Sequence, residues 1–234
     1  MKLRLAAVVV ALASLAGCAN GGGRGTATVW VTRDRGAHVL LMRTVPAGLT
    51  AMQGLDRVAD IKTRYAGRYV QTIDGLEGSL TARRDWFYFV NGYEADRGAA
   101  EYRLHAGDVE WWDFRSWRQS MREPVVVGAF PEPFLHGYDG KGRPSIVVYP
   151  AGYVDEARNV ARLVDSGFVR SGSPLPADAN LVMLDPKPRS PAPRLRAAFR
   201  GRDAPGAPVI FVLSGDSSWL VENPRAARFH YEVP

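Results

Sequence analysis

Residues 84–94 read Arg-Asp-Trp-Phe-Tyr-Phe-Val-Asn-Gly-Tyr-Glu, and residues 109–114 read Val-Glu-Trp-Trp-Asp-Phe. On a strand, successive side chains point to opposite faces, so Trp86, Tyr88 and Val90 share one face while Phe87 and Phe89 share the other. Trp111 and Trp112 must diverge in the same way. An antiparallel sheet with one wetted face alternates apolar and polar residues, and these two segments do not. Both faces of this sheet therefore need a cover. Asn91-Gly92, whose residues tolerate positive φ, closes the first of the two strands in a turn.

Working outward, Thr26–Thr32 and His38–Val45 read as two strands joined by a turn at Arg35-Gly36. Thr50 with Gln53 matches a capping box, and Met52, Leu55, Val58 and Ala59 fall on one helical face. The spacing predicts a helix that runs from Thr50 to a stop at Gly67. Tyr69–Ile73 is the next strand. From about Val125 the texture becomes α/β, with strands at Ser145–Tyr149, Leu181–Leu184 and Val209–Leu213. Val154, Ala157, Val160, Ala161 and Val164 form a helical face ending at Gly167. Residues 186–208 carry six prolines and six basic residues against one acid, Asp203, which predicts an extended surface strap. Phe130–Tyr138, set between prolines and a glycine, reads as a hinge.

The run Trp86–Asp96, followed by Tyr102-Arg103-Leu104-His105-Ala106-Gly107-Asp108-Val109-Glu110-Trp111-Trp112, resembles the transcobalamin C-terminal-like family of bacterial exported proteins. The resemblance covers about residues 26–118. It implies a β-grasp, ubiquitin-like fold and a binding module before an enzyme. It does not single out cobalamin, because no helical partner domain accompanies the module. The fold class expected is α+β: a β-grasp module over residues 26–123, then a small α/β domain over residues 124–234.

The N-terminus has its own pattern. Lys2 and Arg4 precede an apolar run from Leu5 to Ala16, the layout of a signal peptide over residues 1–17. About twelve residues fall short of the roughly 20 that span a bilayer as a helix. Leu15-Ala16-Gly17-Cys18 resembles the bacterial lipobox, which implies lipidation of Cys18 and a partner membrane reached through it. The expected location is the extracytoplasmic face of the cell membrane. Residues 18–25 would then be a glycine-rich tether. Cys18 is the only cysteine, so an internal disulfide is excluded.

Without residues 1–17 the chain carries 28 basic and 24 acidic side chains, a mild excess that does not form the concentrated stripe expected for nucleic acid. The aromatic strands make the strongest candidate site. Trp86, Tyr88, Tyr93, Trp111, Trp112 and Trp117 could stack on a small molecule or glycan in a groove at the domain junction. Equally, residues 125–234 could seal that face and leave an envelope interaction module. In that case a strap with Lys187, Arg189, Arg194, Arg196, Arg200 and Arg202 would rest on anionic lipid or an anionic envelope polymer.

Catalysis is not expected. Glu94, Asp96, Glu101, Asp108 and Asp113 show no spacing that selects an acid and base pair. Ser214-Gly215-Asp216-Ser217-Ser218 lacks the Gly-x-Ser-x-Gly pattern of a nucleophile elbow. His38, His105, His136 and His230 are scattered, so neither a metal nor another cofactor is expected.

Overall fold

Strands β1 (Thr26–Arg33) and β2 (His38–Pro46) form an antiparallel hairpin, turned through Asp34, Arg35 and Gly36, all at positive φ. The computed structural model describes residues 25–186 and 193–233. It is a mixed α and β molecule, mostly sheet with few helices. Helix α1 (Ala51–Asp56) starts at the capping box: Thr50 Oγ1 accepts from Gln53 N, and Gln53 Oε1 accepts from Thr50 N. It ends after six residues, well short of the predicted Gly67. The β-branched residues Ile61 and Thr63 instead enter β3 (Ile61–Arg64), which pairs with β4 (Tyr69–Ile73), and β4 pairs with β5 (Leu76–Glu77).

Strand β6 (Arg84–Val90) turns at Asn91 (φ 50) and Gly92 (φ 83) into β7 (Tyr93–Glu94). Two central residues at positive φ match the twist of the flanking strands. Strand β8 (Val109–Ser116) completes the first five-stranded sheet, in the order β2-β1-β8-β6-β7. Within it β1 and β8 run parallel, while β6 and β8 are antiparallel.

The register of β1, β8 and β6 sorts this sheet into two layers. Val29, Val31, Trp112, Phe114, Trp86 and Val90 pack with α1 residues Ala51 and Leu55 and β4 residues Val70 and Ile73. On the opposite face, Trp30, Phe89, Val109 and Trp111 pack under Val126, Ala129, Phe229 and Tyr231. Both covers demanded by the aromatic strands are therefore present.

The segment Phe130–Tyr138 contains a short helix, α2 (Glu132–Leu135). Phe130 and Phe134 are core residues whose rings meet Phe211 at 6.1 and 5.0 Å. Strand β9 (Ser145–Tyr149), helix α3 (Val154–Leu163) and strand β10 (Gly167–Arg170) form a crossover unit with parallel strands. Strands β11 (Asn180–Asp185), β12 (Arg194–Phe199) and β13 (Val209–Ser214) complete the second sheet, order β10-β9-β11-β13-β12, and helix α4 (Ser218–Glu222) follows.

The predicted strap is corrected here. Residues 194–199 form the antiparallel edge strand β12, whose Leu195 is buried while Arg194 and Arg196 are exposed. Prolines are tolerated beside an edge strand, and the two-residue alternation governs its interior. Lys187 and Arg189 lie outside the described residues, as do Cys18 and the leader. Among the described residues no helix is long and apolar enough to cross a membrane.

Candidate functional site

Most of the aromatic residues expected to stack on a ligand are engaged inside the fold. Trp86, Tyr93, Trp111 and Trp112 are buried, Trp111 with no exposed surface at all. Tyr88 and Trp117 are half-buried. Tyr88 stacks on Trp112 with centroids 4.8 Å apart, and its hydroxyl donates to Arg97 O. Trp86 Nε1 donates to Leu76 O at 3.0 Å, and Trp111 Nε1 to Thr32 Oγ1 at 2.8 Å. Tyr93 lies parallel to Phe199 at 6.1 Å. A β-carbon on Gly128 would stand 2.5 Å from the Trp111 ring, so the covering segment already touches it.

These six side chains thus do not assemble an open stacking groove. Each aromatic buries about 150–250 Å2, worth about 4–6 kcal/mol at about 25 cal/mol per Å2, and the cover secures that gain.

The far face is also locked by charge. Asp113 accepts from Thr32 Oγ1 at 2.6 Å, Tyr231 OH at 2.8 Å, and the backbone N–H groups of Arg35 and Gly36 at 3.1 Å each. Arg115 donates to Ser120 O and Met121 O and lies 3.7 Å from the Phe87 ring centroid. On the near face, Trp112 Nε1 donates to Glu110 Oε1 at 2.5 Å, while Glu110 Oε2 has no hydrogen-bond partner. Burial drives the Glu110 carboxyl well above its ordinary range; the Trp112 bond opposes this and the charge of Asp108 adds to it.

Open space lies elsewhere, at the junction of the two sheets. A cleft of about 530 Å3 is lined by Asp96 and Arg97 beyond β7, Tyr138–Pro144 ahead of β9, Asp178 ahead of β11, and Arg202 with residues 204–208 ahead of β13. One wall is pinned by the β6–β7 turn. Asn91 Nδ2 donates to Asp108 Oδ1 at 2.8 Å and to Gly137 O at 2.9 Å, and Asn91 Oδ1 accepts from Val109 N at 2.8 Å. Gly137, at φ 67, then lets the chain fold back: a β-carbon there would stand 2.1 Å from Lys141 O. Tyr102 OH accepts from Asp139 N at 2.9 Å and fixes the next residue.

Within the cleft, Tyr138 OH donates to Asp96 Oδ1 at 2.8 Å. Burial raises Asp96, but the bonds from Arg97 and Tyr138 outweigh it, and its carboxyl sits below the usual range. Burial also pushes the Tyr138 phenol up, so it stays neutral. Arg97 reaches Asp96 at 2.9 Å and Asp139 at 3.5 Å, which occupies two of the three lining carboxylates. Lys141, Arg143 and Arg202 add three cations and Asp178 one acid, so the lining carries four cations against three carboxylates. Arg143 Nε donates to Gly206 O; Lys141 and Arg202 form no ion pair among the described residues. The cleft mixes polar and apolar lining and carries a small excess of positive charge.

Of the residues singled out from sequence, Asp96, Arg202 and Tyr138, the last residue of the predicted hinge, reach this cleft. Lys141, Arg143 and Asp178 join them from loops outside every predicted strand and helix. The signal was the run Gly137-Tyr-Asp-Gly-Lys-Gly-Arg-Pro144, whose glycines bring backbone and cations to one point. Asp108 and Asp113 are held in structural hydrogen bonds, and Glu94 accepts from Glu123 N at 3.3 Å. Among the described residues no group of three or more His, Cys, Asp or Glu side chains could hold a metal ion.

Comparison with known proteins places part of this chain. A family model described as a domain of unknown function (DUF4430) matches residues 48–116. Among solved structures, a proposed metal-binding protein from Ruminococcus gnavus ATCC 29149 is similar at 13% identity and a TM-score of 0.30, covering 39% of this chain and 97% of that one. Haptocorrin in complex with Cbi is similar at 18% identity and a TM-score of 0.31; the alignment covers 39% of this chain and 26% of haptocorrin. No curated protein matches.

Proposed function

We propose that the chain is a lipid-anchored, extracytoplasmic binding protein without catalytic activity, which captures a small anionic molecule in the junction cleft. In this reading residues 26–123 form a β-grasp module and residues 124–234 a small α/β domain. The order β2-β1-β8-β6-β7, with a parallel central pair between two hairpins, supports the first assignment. Anchoring rests on Leu15-Ala16-Gly17-Cys18 after an apolar run too short to span a bilayer as a helix. Mass spectrometry of the native product finding an unmodified thiol at Cys18 would remove the anchor.

The observation that carries the binding assignment is the wall of the cleft. Four cations, Arg97, Lys141, Arg143 and Arg202, meet three carboxylates there, Asp96, Asp139 and Asp178, which leaves one net positive charge on the wall. Hydrogen bonds to charged groups contribute about 1.5–3 kcal/mol each. Titration calorimetry of the full chain with inorganic phosphate, succinate and glycerol 3-phosphate tests it. Binding of at least one is expected, weakened at least about tenfold in the Lys141→Ala/Arg202→Ala double variant. Heats that are absent for all three, or unchanged in the variant, would refute the assignment.

A second reading, an envelope interaction module, is favoured by the cover that Val126, Ala129 and Tyr231 place over Phe89 and Trp111. Salt-sensitive binding of the chain lacking its lipid to acidic vesicles, lost when Arg194 and Arg196 become alanine, would select it.

A further inference from the structure

The two most exposed large hydrophobic side chains among the described residues are Leu80 (80%) and Tyr65 (76%). They stand fifteen positions apart in sequence, yet both line one groove of about 400 Å3, together with Arg64, Tyr69, Gln71, Gly78, Ser79 and Asp85. From this convergence we propose that the groove beside β3, β4 and β5 binds a pyranose ring of a neutral saccharide. The assignment is independent of the junction cleft and stands or falls on different residues.

Apolar surface comes first. Tyr65 sits in the turn between β3 and β4 at φ 53, a conformation uncommon for an aromatic residue, and its ring meets Tyr69 edge-on at 6.0 Å. Nothing in the fold requires that ring to face water, since the turn could be closed by a small polar residue. With Leu80 it offers apolar contact for the C–H face of a sugar.

The polar complement is equally suited. Tyr69 OH donates to Asp85 Oδ2, and Trp86 N donates to Asp85 Oδ1 at 2.9 Å, so the carboxylate is held in place with lone pairs to spare. Gly78 permits this approach, because a β-carbon there would stand 2.4 Å from Asp85 Oδ1. Gln71 spends both Nε2 protons inside the chain, on Gly78 O at 2.8 Å and Glu77 Oε1 at 3.3 Å, which leaves its amide oxygen as an acceptor. Ser79 Oγ accepts from Ala82 N at 3.2 Å and keeps its proton to donate. Arg64 supplies planar donors.

Charge then decides the ligand class. The lining groups carry one cation, Arg64, and one carboxylate, Asp85, and Arg64 is paired with Glu77 at 3.5 Å beside the groove, so no unpaired cation is offered to an anion. A ring with one apolar face and a rim of hydroxyls that both donate and accept satisfies all of these groups together.

The test is titration of the full chain with maltose, cellobiose and N,N′-diacetylchitobiose, followed by protein NMR. At least one should bind, with shifts at residues 64–71 and 78–85. Tyr65→Ala should weaken that binding about tenfold, and Tyr65→Phe should retain it, because the ring face is kept. Both changes are at an exposed position, so folding is not at stake. The Lys141→Ala/Arg202→Ala variant should bind the sugar normally, which separates this site from the cleft. No binding by any of the three, affinity indifferent to Tyr65→Ala, or preferential binding of tetramethylammonium would overturn the proposal.

Discussion

The two five-stranded sheets solve burial in different ways. The second sheet buries aliphatic and aromatic residues, such as Val182, Phe211 and Leu213, against α3, α4 and the phenylalanines around α2. The first also buries ionisable groups: Glu110, Asp113 and Arg115 lie on β8, and Asp108 stands just ahead of it. An apolar layer tolerates loss of one side chain at the cost of a cavity, whereas a buried polar layer leaves several partners stranded at once. The first sheet is therefore the more sensitive of the two, and both proposed ligand sites fall where neither kind of layer closes.

The largest expected effect is at Asp113. Asp113→Ala strands Thr32, Tyr231 and two backbone N–H groups and should cost about 3–5 kcal/mol in urea unfolding. Leu213→Ala, its counterpart in the second sheet, should cost about 2–4 kcal/mol, with native ligand affinity retained. A milder loss at Asp113 than at Leu213 would break the contrast. Trp111→Phe removes the indole N–H that bonds Thr32 together with part of the buried ring volume, and about 2–3 kcal/mol should be lost in the same measurement.

Glu110 gives a comparison in pH. Unfolded, it titrates near 4.5; burial holds the folded value well above that. Between the two values the folded chain keeps a proton that the unfolded chain has released. Its contribution is therefore whole below about 4.5 and is lost as pH rises through the folded value. Glu110→Gln should match the parent chain in acid and gain on it as pH rises. Parallel stability curves for the two chains across pH 4–8 would contradict this. The smallest signal is one of coincidence. Ring contacts of Phe130 and Phe134 with Phe211, and of Tyr93 with Phe199, join the sheets, so tryptophan fluorescence and far-ultraviolet dichroism should report one transition. Five of the six tryptophans precede residue 120, so two separated midpoints would show the regions melting apart.

Local chemistry was well written in the sequence. Thr50 with Gln53 marked a helix start, Asn91-Gly92 a hairpin, and the short apolar runs at 145–149, 181–184 and 209–213 the inner strands of the second sheet. What escaped was decided by competition between neighbours. Helical spacing at Met52, Leu55, Val58 and Ala59 continues past Asp56, yet Ile61 and Thr63 gain more by pairing with β4. Prolines around Arg194–Phe199 hid an alternation that places Leu195 inside. The aromatic density correctly demanded a cover on both faces, but a cover and a ligand satisfy the same demand, and sequence alone could not choose between them. The cations of the cleft come from separate loops, so only the assembled sheets bring them together.

The central claim is that ligand enters the charged junction and leaves the aromatic layer untouched. An NMR titration of the full chain with glycerol 3-phosphate tests it directly. The account predicts shifts at the amides of Lys141–Arg143 and Arg202–Gly206, with the indole signals of Trp86, Trp111 and Trp112 unmoved. Movement of those indoles, with the cleft amides still, would contradict it.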